Sequence, residues 1–156
     1  MKPVLLFLLL ISGTATHAQG RFSDHELSIN AFRNPSIGLE YRFRQLSVHA
    51  GYYPTIVSQN RDGVNETTSF FRTGLTLWFL PIGRKPNPSS FYTSLSYVRG
   101  LDRSYRNDNG LLADAGFRWM VWKGLNLRLG GAVLMSPNHD VKVNPTPGLS
   151  YSFFFK

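Results

Sequence analysis

From Glu26 to the C-terminus, apolar and polar side chains alternate with a period of two. Clusters of Gly, Pro, Asn and Asp interrupt the pattern. Alternation of this kind predicts strands with two chemically different faces. Eight segments are expected, at Glu26–Arg33, Ser36–Arg44, Leu46–Tyr53, Ser69–Leu80, Ser90–Gly100, Leu111–Trp122, Leu125–Met135 and Thr146–Lys156. In the seventh, Leu125, Leu127, Leu129 and Val133 share one face, and Asn126, Arg128 and Gly130 the other. Tight turns are expected at Arg44-Gln45 and Lys123-Gly124, with a short break at Asn34-Pro35. Longer connections are expected at Pro54–Thr68, Pro81–Ser89, Leu101–Gly110 and Ser136–Pro145. Most segments approach the ~9–11 residues that a tilted strand needs to cross a bilayer. No stretch sustains a helical period of 3.6.

Alternation does not say which face is inside, since a soluble barrel buries its apolar face and a membrane barrel inverts the arrangement. Two features favour inversion. Lysine is missing from the interior of every predicted strand; beyond Lys2 it occurs only at Lys85, Lys123, Lys142 and Lys156. Soluble sheets use lysine freely on wet faces and edges. The polar face is also rich in Gly and Ser, with Arg and carboxylates interspersed, which suits a narrow lumen where charges must pair. Short turns at one end and longer loops at the other fit an outer-membrane barrel with its short side periplasmic, although the first and fourth connections fit less well. Aromatics near strand ends, Tyr52, Tyr53, Phe71, Phe79, Phe91, Trp119 and Trp122, are candidates for interfacial girdles. The expected fold is therefore an all-β, eight-stranded antiparallel up-and-down transmembrane barrel. A secreted β-sandwich, or a barrel closed only by partner chains, are the alternatives.

The first 18 residues read differently. Lys2 precedes the apolar run Val4–Ile11, and small residues lead to Thr16 and Ala18. This is the pattern of a secretory signal peptide over 1–18, with the barrel over 19–156 beginning at Gln19. The apolar run is too short for a membrane-spanning helix. The chain has no cysteine, which excludes disulfides, thiolate metal sites and a cysteine nucleophile, and leaves no thiol for lipid acylation. The formal charge of +8 would ordinarily suggest nucleic acid. Export and the absence of Lys/Arg runs argue instead for anionic lipid head groups.

The C-terminal stretch Thr146-Pro147-Gly148-Leu149-Ser150-Tyr151-Ser152-Phe153 resembles the insertion signal of bacterial outer-membrane barrels. That signal has a polar residue, a glycine two positions on, then apolar or aromatic residues at alternating positions. The chain continues as Phe154-Phe155-Lys156 rather than ending on the aromatic. The resemblance covers about 26–156 and is to small eight-stranded barrels in general. It implies residence in the outer membrane of the Gram-negative envelope, with lipopolysaccharide and other outer-membrane lipids as partners and other outer-membrane proteins as further candidates.

Shared parity predicts a lumen charge network of Glu26, Glu40, Arg42, Arg72, Asp114, Arg118 and Arg128. Arg99, Arg103 and Arg106, with Arg61 and Lys142, fall in or beside the longer connections and are candidates for binding lipid phosphates; solvated loop charges are the equal alternative. Small barrels of this kind include lipid A-modifying enzymes, and the lipid A deacylase family among them carries a His and a Ser two residues apart on a strand, facing lipid. Here Ser47 and His49 have that spacing in reversed order and on the lumen face, so a hydrogen-bonded lumen histidine is expected instead. His139-Asp140 falls short of a metal ligand set. Asn65-Glu66-Thr67 is a chance sequon in a bacterial chain. Gly130-Gly131 permits close strand packing. No metal, cofactor or nucleic-acid partner is expected. Four functions stay open: a non-catalytic structural or binding barrel, an accessory subunit of a larger outer-membrane complex, a narrow channel, and a lipid A hydrolase or acyltransferase.

Overall fold

A computed structural model of the chain describes residues 22–31, 36–59, 65–83, 87–137 and 139–155. The expected signal peptide, Gln19, the Asn34-Pro35 break, Arg61, Lys85 and Lys156 lie outside the described residues. The strands are β1 His25–Ala31, β2 Ile37–Phe43, β3 Leu46–Gln59, β4 Asn65–Ile82, β5 Ser89–Gly100, β6 Asn109–Trp122, β7 Leu125–Ser136, β8 His139–Pro145 and β9 Gly148–Phe155. Each pairs antiparallel with its sequence neighbour from β1 to β7. β9 then pairs with both β7 and β1, so the sheet closes on itself.

The result is a closed eight-stranded antiparallel barrel, because β8 and β9 together form one stave. β8 pairs with the upper part of β7, from Gly131↔Pro145 to Ser136↔His139. β9 pairs with the lower part, from Leu125↔Tyr151 to Arg128↔Gly148. Thr146, between them, donates its backbone N–H to the Gly130 carbonyl at 2.9 Å. Ser136–Pro145, expected as a loop, is thus largely strand. Its weak alternation, with Val141 and Val143 outward and Lys142 and Asn144 half-buried, is enough once the free edge of β7 supplies hydrogen-bonding partners.

Pairing also overrides composition at Pro54–Thr68, expected as a polar connection. The β3–β4 hairpin extends to Gln59↔Asn65, and alternation continues with Tyr53, Thr55 and Val57 inward. Proline is tolerated at position 54 because β3 has already outrun β2, whose last partner is Tyr52, so its free side is an edge. Above the short β1–β2 hairpin, Asn144 of β8 donates to Thr55 Oγ1 at 3.0 Å and to the Ile56 carbonyl at 3.1 Å, linking β8 to β3.

The faces are inverted relative to a soluble protein. Inward positions carry Glu26, Ser28, Glu40, Arg42, Arg72, Asp114, Arg118 and Asn126, all buried. Outward positions carry Leu39, Val48, Leu75, Leu95, Leu129 and Trp119, all exposed. At ~3.3 Å per residue and the usual barrel tilt near 40°, the outward row from Leu125 to Met135 covers about 25 Å, the height of a membrane barrel's apolar band. Aromatics crowd the outer wall toward the end bearing the tight turns. There Phe79, Phe91 and Phe117 form a cross-strand ladder with ring centroids 6.2 and 5.0 Å apart, and Trp119 and Trp122 stand exposed beside it. Tyr53 is a correction: it points into the lumen, not to a girdle, and is 2% exposed.

Candidate functional site

The described lumen has two layers. The lower one is a charge network that ties opposite walls together. Glu26 on β1 accepts from Arg42 Nε at 2.9 Å and from Arg118 Nη1, across the barrel on β6, at 2.7 Å. Glu40 on β2 accepts from Arg128 Nη1 on β7 at 2.7 Å and from Ser47 Oγ. Arg72 on β4 pairs with Asp114 on β6 and donates to Ser94 Oγ at 2.8 Å and Ser96 Oγ at 2.9 Å on β5 between them. All seven residues predicted from parity are buried here, and each has an oppositely charged partner.

Four guanidiniums, Arg42, Arg72, Arg118 and Arg128, face three carboxylates, Glu26, Glu40 and Asp114. Part of the surplus rests on Trp78, an inward residue of β4. Arg118 and Arg128 lie 4.3 and 5.0 Å from its ring centroid, and a desolvated cation over an indole face is favourable. Trp78 is itself fixed by donating Nε1–H to Ser47 Oγ at 2.9 Å. Small residues make room for these groups. At Gly116, which pairs with Gly130, an added Cβ would lie 2.8 Å from Tyr92 Oη. This fits the close packing expected at Gly130.

The upper layer is apolar and was not foreseen. Tyr53, Val57, Phe70, Val98, Leu112 and Leu134 turn inward and cluster with Tyr105. Tyr105 arrives from the connection after β5, where a short 3-10 turn spans Arg103–Tyr105. Its ring meets Phe70 edge-on at 5.3 Å and is covered by His139, stacked at 3.7 Å. His139 in turn bonds Asp108 Oδ2 at 2.9 Å. Gly100 is required beneath, since a Cβ there would run into the Tyr105 backbone and side chain. The charged loop expected at Leu101–Gly110 is therefore a lid over the mouth. The clue in the sequence was the local loss of alternation at Tyr52-Tyr53, Leu111-Leu112 and Val133-Leu134-Met135, where both faces are apolar.

Within the charged layer, a void of only about 10 Å³ is lined by Glu40, His49, Arg72, Tyr92, Asp114 and Arg128, among others. That is room for about one water-sized probe. His49 is buried there, with Nδ1 3.1 Å from Thr76 Oγ1 and Nε2 3.0 Å from Ser96 Oγ. Ser47 is engaged with Glu40 and Trp78. A nucleophile and its base must bond each other; these two are each held by other residues. Among the described residues, no three His, Asp or Glu side chains gather as a metal site. His139 points to Asp108, not to a shared site with Asp140.

The rim residues sit at the upper end. Arg99 is exposed on the outward face of β5, and Arg103 and Arg106 are exposed in the lid connection. Arg103 holds φ 51° and Asn107 φ 67°, the left-handed turns that fold the lid back. No carboxylate pairs with these three arginines among the described residues. Lys142 is not in a loop; it lies in β8 opposite Leu134. When the chain is compared with family models, with curated proteins and with solved structures, nothing matches.

Proposed function

We propose that this chain is a bacterial outer-membrane protein, a sealed and non-catalytic eight-stranded barrel with a structural or binding role in the envelope, alone or as an accessory subunit of a larger complex. The observation that carries the reading is the inversion of the wall. A continuous belt of Leu, Ile, Val and aromatic side chains faces outward around a lumen of paired charges. Water would penalise that belt heavily, since monomeric soluble proteins rarely expose apolar patches beyond ~300–600 Å². Hydrocarbon removes the penalty, and closure through β9 pairs the strands on both sides around the lower wall, as a membrane-spanning sheet requires. The N-terminal pattern over 1–18 supplies an export route. The tight-turn end and both ends of the barrel's strand path lie together, so in this reading that end faces the periplasm and the lid faces outside.

The plugged lumen supports a structural or binding role over a channel, and the separate engagement of Ser47 and His49 supports it over a hydrolase. Fractionation tests the proposal. The mature protein is expected in the outer-membrane pellet and to change gel mobility on boiling. Recovery as a freely soluble protein from periplasm or medium would contradict it. Single-channel recording in planar bilayers should show no steady conductance, and a reproducible open pore would overturn the sealed reading.

A further inference from the structure

On the outer wall near the lid end, a groove of about 490 Å³ opens between β5, β6, β7 and the start of β8. Its walls include Tyr97, Leu111, Met135, Pro137 and Val141. The register explains it. Tyr97, Leu111 and Met135 stand side by side on the outer face, and the ladder irregularity between Leu134 and Ser136 turns β8 aside. The volume is that of a small-molecule site.

Above the groove the chemistry changes in order. Tyr97 donates its hydroxyl to Asn109 Oδ1 at the groove's upper edge. Arg99 follows two residues on, outward and opposite Asn109. Its guanidinium reaches Asn107 Oδ1 at 3.4 Å, and no described carboxylate neutralises it. Apolar slot, hydroxyl and amide, then cation is the polarity profile of an amphiphile read from chain to head. A peptide is a poor occupant, because the groove lies over β5, β6 and β7, each paired on both sides here, and over the edge of β8 that is already bonded to β7. We infer that this groove holds one acyl chain of a phosphate-bearing membrane lipid, with the phosphate on Arg99. Arginine suits that role because its planar fork gives phosphate two parallel charge-assisted hydrogen bonds. The inference rests on the membrane reading above and narrows the rim cations to one that has an acyl site beneath it.

The test uses the full mature chain in mild detergent and native mass spectrometry, titrating diphosphorylated lipid A, phosphate-free diacylglycerol, or inorganic phosphate alone. Wild type should retain one lipid A per barrel, hold diacylglycerol more weakly, and show no stable adduct with inorganic phosphate. Arg99→Gln should weaken lipid A about tenfold, the scale of one lost charge-assisted contact, and leave diacylglycerol unchanged. Val141→Trp, which fills the slot from an exposed position, should weaken both lipids. Arg103→Gln should leave both as in wild type. Arg99→Gln alters an exposed side chain with no described ion pair, so it keeps the test decisive should Val141→Trp fail to fold. Lipid A retention that ignores Arg99→Gln, or that falls equally with Arg103→Gln, overturns the site. A barrel that needs detergent and shifts on boiling yet binds no lipid stoichiometrically overturns this site alone. A wild-type chain that stays dispersed without detergent overturns the membrane reading, and the site with it.

Discussion

The Glu40–Arg128 pair offers a quantitative test of the lumen network. It joins β2 to β7, which are not adjacent in the wall, through a 2.7 Å contact between buried side chains. Glu40→Gln leaves four guanidiniums facing two carboxylates. Arg128 then retains Trp78 as its described neighbour, and breaking such a buried pair costs about 3–5 kcal/mol. Arg128→Met also strands a partner, but it brings the lumen to three charges of each sign, and Glu40 keeps Ser47 and Asn30. Its cost should be the smaller, about 3 kcal/mol, at the lower end of the range for a broken pair. The double variant replaces both charges with groups of similar volume, so it should lie within about 1–2 kcal/mol of wild type. The assay is reversible urea unfolding in lipid vesicles, followed by tryptophan fluorescence and by the boiling-dependent gel shift. A coupling energy of about 3 kcal/mol or more is expected, as for close charge pairs away from water. Additive single effects, or an Arg128→Met variant less stable than Glu40→Gln, would refute the charge accounting.

Other parts of the barrel make separate predictions. Tyr105→Ala should free the lid and cost about 3–4 kcal/mol, as for a buried aromatic; protease should then cleave within 101–108 faster, while conductance stays nil because the charged layer still seals the lumen. Leu129→Arg, on the outer wall near mid-height, should destabilise the barrel by about 2–4 kcal/mol in bilayers, and an unchanged urea midpoint would place that face out of lipid. Gly116→Ala should cost about 1–3 kcal/mol through overpacking; Tyr92→Phe should not rescue it, because the Leu129 carbonyl also blocks the added methyl.

The charged half of the lumen was legible in the sequence because a strand's two-residue period is rigid. Once Leu127 and Leu129 are outward, Arg128 must be inward, and the same parity collects Glu26, Glu40, Arg42, Arg72, Asp114 and Arg118. Parity says nothing of partners, which depend on how the sheet closes; Glu26 and Arg118 meet across 92 residues of chain. The strand ends at Gln59, Asn65 and His139 were not legible either. Thr, Asn and Pro favour turns locally, but an open neighbouring edge outweighs that preference. The apolar plug escaped for the opposite reason: Tyr53, Leu112 and Leu134 are inward by parity but chemically match the outer wall. Tyr105, in a polar loop, carries no periodic signal at all. Of the rim arginines, the sequence located Arg99, Arg103 and Arg106 near one end, but only the register sets Arg99 above an apolar groove.

The chain's three tryptophans allow the most direct test of the inverted barrel. Trp78 is 1% exposed within the lumen, while Trp119 and Trp122 are 59% and 65% exposed on the outer wall. Three single-tryptophan variants, with the other positions changed to Phe, would be reconstituted in vesicles containing brominated acyl chains. Strong quenching of Trp119 and Trp122 with Trp78 protected is the result the account predicts. Quenching of Trp78 alone, or none at any position with all three variants folded, would contradict it.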